Sequence, residues 1–142
     1  MTVHLSRKYG FSATHRLHAK GLSDAENRTI YGKCNNPHGH GHNYEVEITV
    51  AGPVDAVTGR AVDLAALDAL AAREVIDPLR YRDLNEEVEA FRTEVPTTEN
   101  LTSEVDRRLR AAWPGVFPSG TPRLEKIRIW ETERNICEVG PL

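Results

Sequence analysis

The sequence predicts an α+β fold, with a four-stranded antiparallel sheet and two helices laid on one face. Three observations predict it. Two segments of alternating polarity, near residues 3–15 and 44–50, come before any helical period. Two stretches with an apolar period near 3.6 follow, at about 63–79 and 97–113. Two more alternating segments, about 124–131 and 135–139, close the chain. Strands that come early and late pair within one sheet, and helices between them cover a single side.

Each element has its own signals. Val3, Leu5, Arg7, Tyr9, Phe11, Ala13 and His15 share one parity, so a strand is expected to end with His15 on a defined face. Residues 16–36 are polar and irregular, with Gly21, Asn27 and Gly32, and read as a long functional loop. From His42 the alternation returns, with Tyr44, Val46, Ile48 and Val50 against Glu45, Glu47 and Thr49. Gly52-Pro53 ends that strand, and Thr58-Gly59 reads as a turn. Asp63 is an N-cap for a helix to about Leu79, with Leu64, Leu67, Leu70 or Ala71, and Val75 as its apolar stripe and Pro78 as its close. Residues 80–96 read as loop. Thr97 and Thr98 open a second helix carrying Leu101, Val105, Leu109 and Ala112, and Pro114-Gly115 is expected to stop it. Leu124–Glu131 reads as a strand with Ile127 and Ile129 inward, and Asn135–Val139 as a short last one. The uncovered sheet face, expected to carry Tyr, Arg and His, suits a contact with another subunit.

Composition bounds the function. With 142 residues, the chain is expected to form one domain, residues 1–142. A net charge of −3 argues against nucleic-acid binding by bulk charge. No apolar run reaches membrane-spanning length and the N-terminus lacks a signal-type apolar region, so a cytoplasmic protein without a membrane partner is expected. The two cysteines do not make a disulfide framework.

The chemistry concentrates in Cys34-Asn35-Asn36-Pro37-His38-Gly39-His40-Gly41-His42-Asn43-Tyr44. In extended chain, residues two apart point to one side, so His40 and His42 aim their imidazoles together while glycines leave room for an ion. Imidazole suits zinc, and three protein ligands with an open fourth position mark a catalytic site. His38, His15, His18 and His4 are the candidates for the third ligand. Continuing the spacing favours His38; a ligand from a separate strand would be stiffer.

Beyond this run, several spaced motifs occur in order: Phe11-Ser12-Ala13-Thr14-His15-Arg16-Leu17, Gly32-Lys33-Cys34-Asn35-Asn36-Pro37, Gly39-His40-Gly41-His42-Asn43-Tyr44, Thr97-Thr98-Glu99-Asn100 and Trp130-Glu131-Thr132. Together they resemble the 6-pyruvoyl-tetrahydropterin synthase family, which also contains the 6-carboxy-tetrahydropterin synthases. The resemblance runs from about Tyr9 to Val139, and the Cys-Asn-Asn-Pro form is closer to the pyruvoyl branch. It implies the tunnelling fold, with subunits assembled into a barrel as a homohexamer (a dimer of trimers) whose active sites lie between subunits. It implies zinc on His15, His40 and His42, leaving His38 and His18 outside. It implies Cys34 as the catalytic base and Glu131 as the carboxylate that anchors the pterin, with Thr97, Thr98 and Glu99 lining the same pocket. A carboxylate accepts two parallel N–H donors at once, so one glutamate gives affinity and orientation together. A thiolate is a competent base where nearby positive charge lowers its pKa.

The chain departs from the family at one place. The family carries an Asp-His pair after the first helix, in a stretch reading Leu-Asp-His-Lys/His-x-Leu. The matching stretch here is Leu79-Arg80-Tyr81-Arg82-Asp83-Leu84, so Arg80 and Tyr81 stand in the two slots. A phenol, ordinarily titrating near ~10, is a poor base at neutral pH, and arginine stays protonated. Arg80, if it points into the site, favours the Cys34 thiolate, and His38 is a candidate substitute for the missing histidine. The implied activity is a zinc-dependent lyase acting on 7,8-dihydroneopterin triphosphate or a related pterin. The alternative is a zinc-containing pterin-binding homologue with little or no turnover.

Overall fold

Alternating residues along the N-terminal segment form strand β1 (Thr2–His15), which pairs antiparallel with β2 (His40–Pro53) over its whole length. Strand β3 (Arg123–Trp130) pairs with β2, and β4 (Ile136–Val139) with β3, giving one antiparallel sheet in the order β1-β2-β3-β4. The computed structural model describes residues 1–141. Among these, no helix is long and apolar enough to cross a membrane.

The helices lie on one face of the sheet, as expected. Helix α1 (Asp24–Tyr31) precedes β2. Helix α2 (Leu64–Ala71) is capped by Asp63, whose carboxylate accepts from the Ala66 amide at 3.1 Å. It continues through a π turn (Ala72–Ile76) into the short α3 (Asp77–Leu79), where Pro78 sits in the first turn. After the single turn α4 (Leu84–Glu87) and a 3₁₀ turn (Glu89–Arg92) comes the long α5 (Thr98–Val116). Leu67, Leu70 and Val75 from the first unit and Leu101, Val105 and Leu109 from α5 pack on Val46, Ile48, Ile127 and Ile129 of the sheet. Each such side chain contributes about 1.5–3 kcal/mol through burial.

Four expectations need correction. Residues 16–36 are not all loop, because Ser23 and Glu26 close a reciprocal capping box that starts α1. Residues 80–96 hold α4, capped by Asp83, and the 3₁₀ turn. Pro114 does not stop α5. It lies in the last turn, where Trp113 donates to the Pro122 carbonyl at 2.9 Å and packs against Phe117 with the rings tilted at 42°, and this packing outweighs one missing N–H. The helix-free face carries Lys8, Glu45, Glu47, Arg128 and Trp130, whereas His15 and Tyr44 turn toward the helices and are buried. Lys8 and Arg128 both lie over the Trp130 ring, at 4.7 and 5.6 Å.

Candidate active site

Strand register assembles the imidazoles. His40 and His42 are two apart on β2 and so share a face. His15, the last residue of β1, lies directly opposite His40, and Ala13 lies opposite His42. Directly opposed residues point to the same side of a sheet. That side is the buried one, continuing the row Val50, Ile48, Val46, Tyr44. The apolar stripe thus turns into a stripe of imidazoles at one end of β2. Gly39 makes the approach feasible: its φ is +72°, and a Cβ there would meet the His15 carbonyl oxygen at 3.0 Å.

The three Nε2 atoms form a near-equilateral triangle: His15 to His40 is 3.2 Å, His40 to His42 is 3.0 Å, and His42 to His15 is 3.1 Å. The rings stand close to perpendicular to one another, at 87° for each pair. His15 Nδ1 donates to the Pro96 carbonyl at 2.9 Å, which leaves the lone pair on Nε2. Burial lowers the pKa of both His15 and His42, favouring the neutral, ligating form. An ion bound at the usual imidazole distance of about 2.0–2.1 Å is too large for the centre of this triangle. Three imidazole nitrogens within 3.2 Å of one another are a donor set that could hold one metal ion, and three protein ligands are the number found in catalytic rather than structural sites. His38 is exposed and stands outside the group. His18 is also outside it; its Nδ1 accepts from the Asn35 amide at 3.0 Å.

Glu131 follows β3 immediately and is 8% exposed. Its Oε2 lies 3.9 Å from His15 Nε2 and its Oε1 3.9 Å from His42 Nε2. The Thr98 hydroxyl donates to Oε2 at 2.9 Å, and the Asn135 amide donates to Oε1 at 3.2 Å. Thr98 belongs to the first turn of α5, whose N-cap is Thr97; the Thr97 oxygen is committed to the Asn100 amide at 3.1 Å. Glu99 points outward from the same turn and is exposed. Of these three residues, Thr98 is the one whose side chain touches the carboxylate.

Cys34 is half-buried in the 3₁₀ turn Gly32–Asn35, and its carbonyl accepts from Leu17, two residues past His15, at 2.7 Å. Burial, and then the Glu131 charge, pushes its thiol above the ordinary value. Arg80 does not offset this within the chain; it pairs with Asp77 at 3.5 Å and lies over the Tyr81 ring. A divalent cation held by the imidazoles would act in the opposite direction, toward the thiolate. Tyr81 has φ of +60° and is 82% exposed. Its amide donates to the Ser12 carbonyl at 2.6 Å, and it borders, with His42, an open cleft of about 480 Å³. A bulky residue held at positive φ is strained, and such strain concentrates where a side chain must be presented in one direction.

A family model described as 6-pyruvoyl tetrahydropterin synthase matches residues 4–141. The chain belongs to this family. It is 44% identical over 133 residues to the 6-pyruvoyl tetrahydrobiopterin synthase of Poecilia reticulata, covering 94% of this chain and 86% of that one. It is 42% identical over 132 residues to the Homo sapiens protein of the same description, covering 93% and 87%. The solved structure of Caenorhabditis elegans 6-pyruvoyl tetrahydropterin synthase superposes with a TM-score of 0.88 at 39% identity, covering 100% of this chain and 97% of that chain. The Plasmodium falciparum synthase shares the fold, with a TM-score of 0.64 at 16% identity. Membership of the 6-pyruvoyl tetrahydropterin synthase family makes the chain an enzyme of the synthase type, in agreement with the Cys-Asn-Asn-Pro motif.

Three participants escaped the sequence. The Pro96 carbonyl on His15 is a backbone group with no residue signature. Tyr44 is 1% exposed with its hydroxyl 3.3 Å from His15 Nδ1, and reads in sequence as one more strand residue. Asn135 reads only as the start of a strand. Its backbone oxygen accepts from the Glu131 amide at 3.0 Å, and it is this closed turn that brings its amide back to the carboxylate.

Proposed function

We propose that this chain is a zinc-dependent 6-pyruvoyl-tetrahydropterin synthase acting on 7,8-dihydroneopterin triphosphate or a closely related pterin. The observation that carries the reading is the placement of one buried carboxylate 3.9 Å from two members of a three-imidazole cluster. Glu131 accepts the paired N–H donors of the pterin edge, with the Thr98 hydroxyl orienting one of its oxygens. His15, His40 and His42 would hold zinc, which supplies polarisation of the side-chain hydroxyls, or of the carbonyl formed from them, and so acidifies the adjacent C–H. Cys34 takes up that proton and returns it, in the internal redox shift that accompanies loss of triphosphate.

The same reading treats residues 1–142 as one pterin-synthase domain in a cytoplasmic homohexamer, a dimer of trimers. Support comes from the charged helix-free face and from Tyr81, whose side chain is turned away from its own chain's core. Light scattering at micromolar concentration should give six chains per particle; a monomer would remove the shared site.

The test of activity is direct. Zinc-loaded protein incubated with 7,8-dihydroneopterin triphosphate should release triphosphate and give a product with the mass of 6-pyruvoyl-tetrahydropterin. Tight binding of the pterin with no change of mass over hours would instead establish a binding protein.

A further inference from the structure

Two partners of His15 Nδ1 make opposite demands on it. The Pro96 carbonyl, at 2.9 Å, can only accept, so it needs a hydrogen on Nδ1. The Tyr44 hydroxyl, at 3.3 Å, has a hydrogen to give and needs a lone pair there. Tyr44 is buried, and among the described residues its hydroxyl has no other hydrogen-bond partner. The shorter contact sets the tautomer: the hydrogen sits on Nδ1, and Nε2 keeps its lone pair. The Tyr44 hydrogen is then left without an acceptor, which is unfavourable in a buried place and pulls toward the other tautomer. That tautomer has partners ready, since a hydrogen on Nε2 would meet the Nε2 atoms of His40 and His42 at 3.2 and 3.1 Å.

The Pro96 carbonyl must therefore be held in place, and one side chain does so. Pro96 is the centre of a three-residue turn, closed by the Thr97 amide donating to the Val95 carbonyl at 2.8 Å. The fixed φ of proline suits such a turn. The Thr97 N–H and the Pro96 C=O belong to one planar peptide and point opposite ways, so fixing the first aims the second at His15. The Asn100 side-chain amide, from the first turn of α5, donates to the same Val95 carbonyl at 2.8 Å. Asn100 is anchored in turn by its own N–H, which donates to the Thr97 hydroxyl at 3.1 Å. Asn100 thus ties the turn to a long helix, where a single three-residue closure would leave the peptide free to rotate.

We infer that Asn100 is a positioning residue that, by fixing the Pro96–Thr97 peptide, selects the His15 tautomer able to ligate a metal against the pull of Tyr44. The inference deepens the reading of His15 as a zinc ligand and rests on it. Without Asn100 the peptide turns and the carbonyl leaves Nδ1. Tyr44 then donates to Nδ1, the hydrogen moves to Nε2, and Nε2 no longer has a lone pair for an ion.

Two readouts test this. Long-range ¹H–¹⁵N NMR spectra of the metal-free protein, at alkaline pH where the imidazoles are neutral, report the His15 tautomer. Competition with a chromophoric chelator reports zinc affinity. The proteins are the wild type, Asn100→Ala, Asn100→Asp, and each Asn100 variant combined with Tyr44→Phe. The wild type should carry the hydrogen on Nδ1. Asn100→Ala and Asn100→Asp should carry it on Nε2 and bind zinc about 10–100-fold more weakly, the usual loss for an outer partner of a metal ligand. Asn100→Asp cannot donate to Val95, yet an acidic residue suits the first turn of a helix, so the fold is kept. Adding Tyr44→Phe removes the competing donor and should return the hydrogen to Nδ1 and recover most of the zinc affinity. A merely structural role would lower affinity with no change of tautomer, and Tyr44→Phe would deepen the loss. An unchanged His15 tautomer in both Asn100 variants overturns the inference. A wild type that takes up no zinc overturns the metal reading instead, and the tautomers of the metal-free proteins still decide the role of Asn100. Should Asn100→Ala fail to fold, Asn100→Asp with and without Tyr44→Phe decides.

Discussion

Replacing Arg80 by Asp together with Tyr81 by His should raise turnover of dihydroneopterin triphosphate by about 10²–10⁴-fold, the usual contribution of a positioned acid or base. The family pair exchanges protons with the cysteine; here that slot holds a phenol and a guanidinium, and the guanidinium is occupied by Asp77. The backbone favours the change, because histidine tolerates the φ of +60° at position 81 better than tyrosine does. Zinc content and pterin affinity should stay as they are, since neither residue touches the imidazole cluster or Glu131 within the chain. Steady-state rates of product formation for the native and double-substituted proteins check this. If the native protein already works at an ordinary enzymatic rate and the restored pair adds nothing, another group carries the proton. The exposed His38 is then the first to replace.

Glu131→Ala should weaken pterin binding by roughly a hundredfold or more, because a charged acceptor is removed from a buried, hydrogen-bonded site. Glu131→Gln should be nearly as harmful. It preserves shape but puts an NH₂ where the ring edge also donates, and it conflicts with one of the two donors, Thr98 or Asn135, that hold the native side chain. Fluorescence titration with a pterin measures both. Unchanged curves for the two variants would mean that the ring is held elsewhere.

The sheet and the two main helices were legible because their apolar periods are strong and long. Helix α1 was not, because it has no apolar stripe: its one buried residue is Asn27, which hydrogen-bonds the carbonyls of Ala19, Leu22 and Ser23. The Ser23-x-x-Glu26 signature was nonetheless available. The end of α5 differs from the sequence expectation because the local preference of Pro114 is overridden, Trp113 and Phe117 holding the last turn through tertiary contacts. At the site, the His40/His42 pair followed from strand alternation. Its third member did not, since the His15–His40 pairing depends on register between strands 25 residues apart in sequence. Spacing favoured His38, the resemblance favoured His15, and the geometry gathers His15. Among the partners of Glu131 and His15, the resemblance had already put Thr98 in the pocket, whereas Asn135 and Pro96 were beyond reach for a different reason. Asn135 is brought in by a tight turn and Pro96 by the segment leading into α5, and neither carries a periodic signal.

The metal content of three proteins tests the account most directly. Wild type, His15→Ala and His38→Ala are purified in parallel, loaded with zinc, dialysed and measured by mass spectrometry of the element. The account predicts one zinc per chain in the wild type and in His38→Ala, and loss of stoichiometric zinc in His15→Ala. Stoichiometric zinc retained in His15→Ala, with loss in His38→Ala, would contradict it.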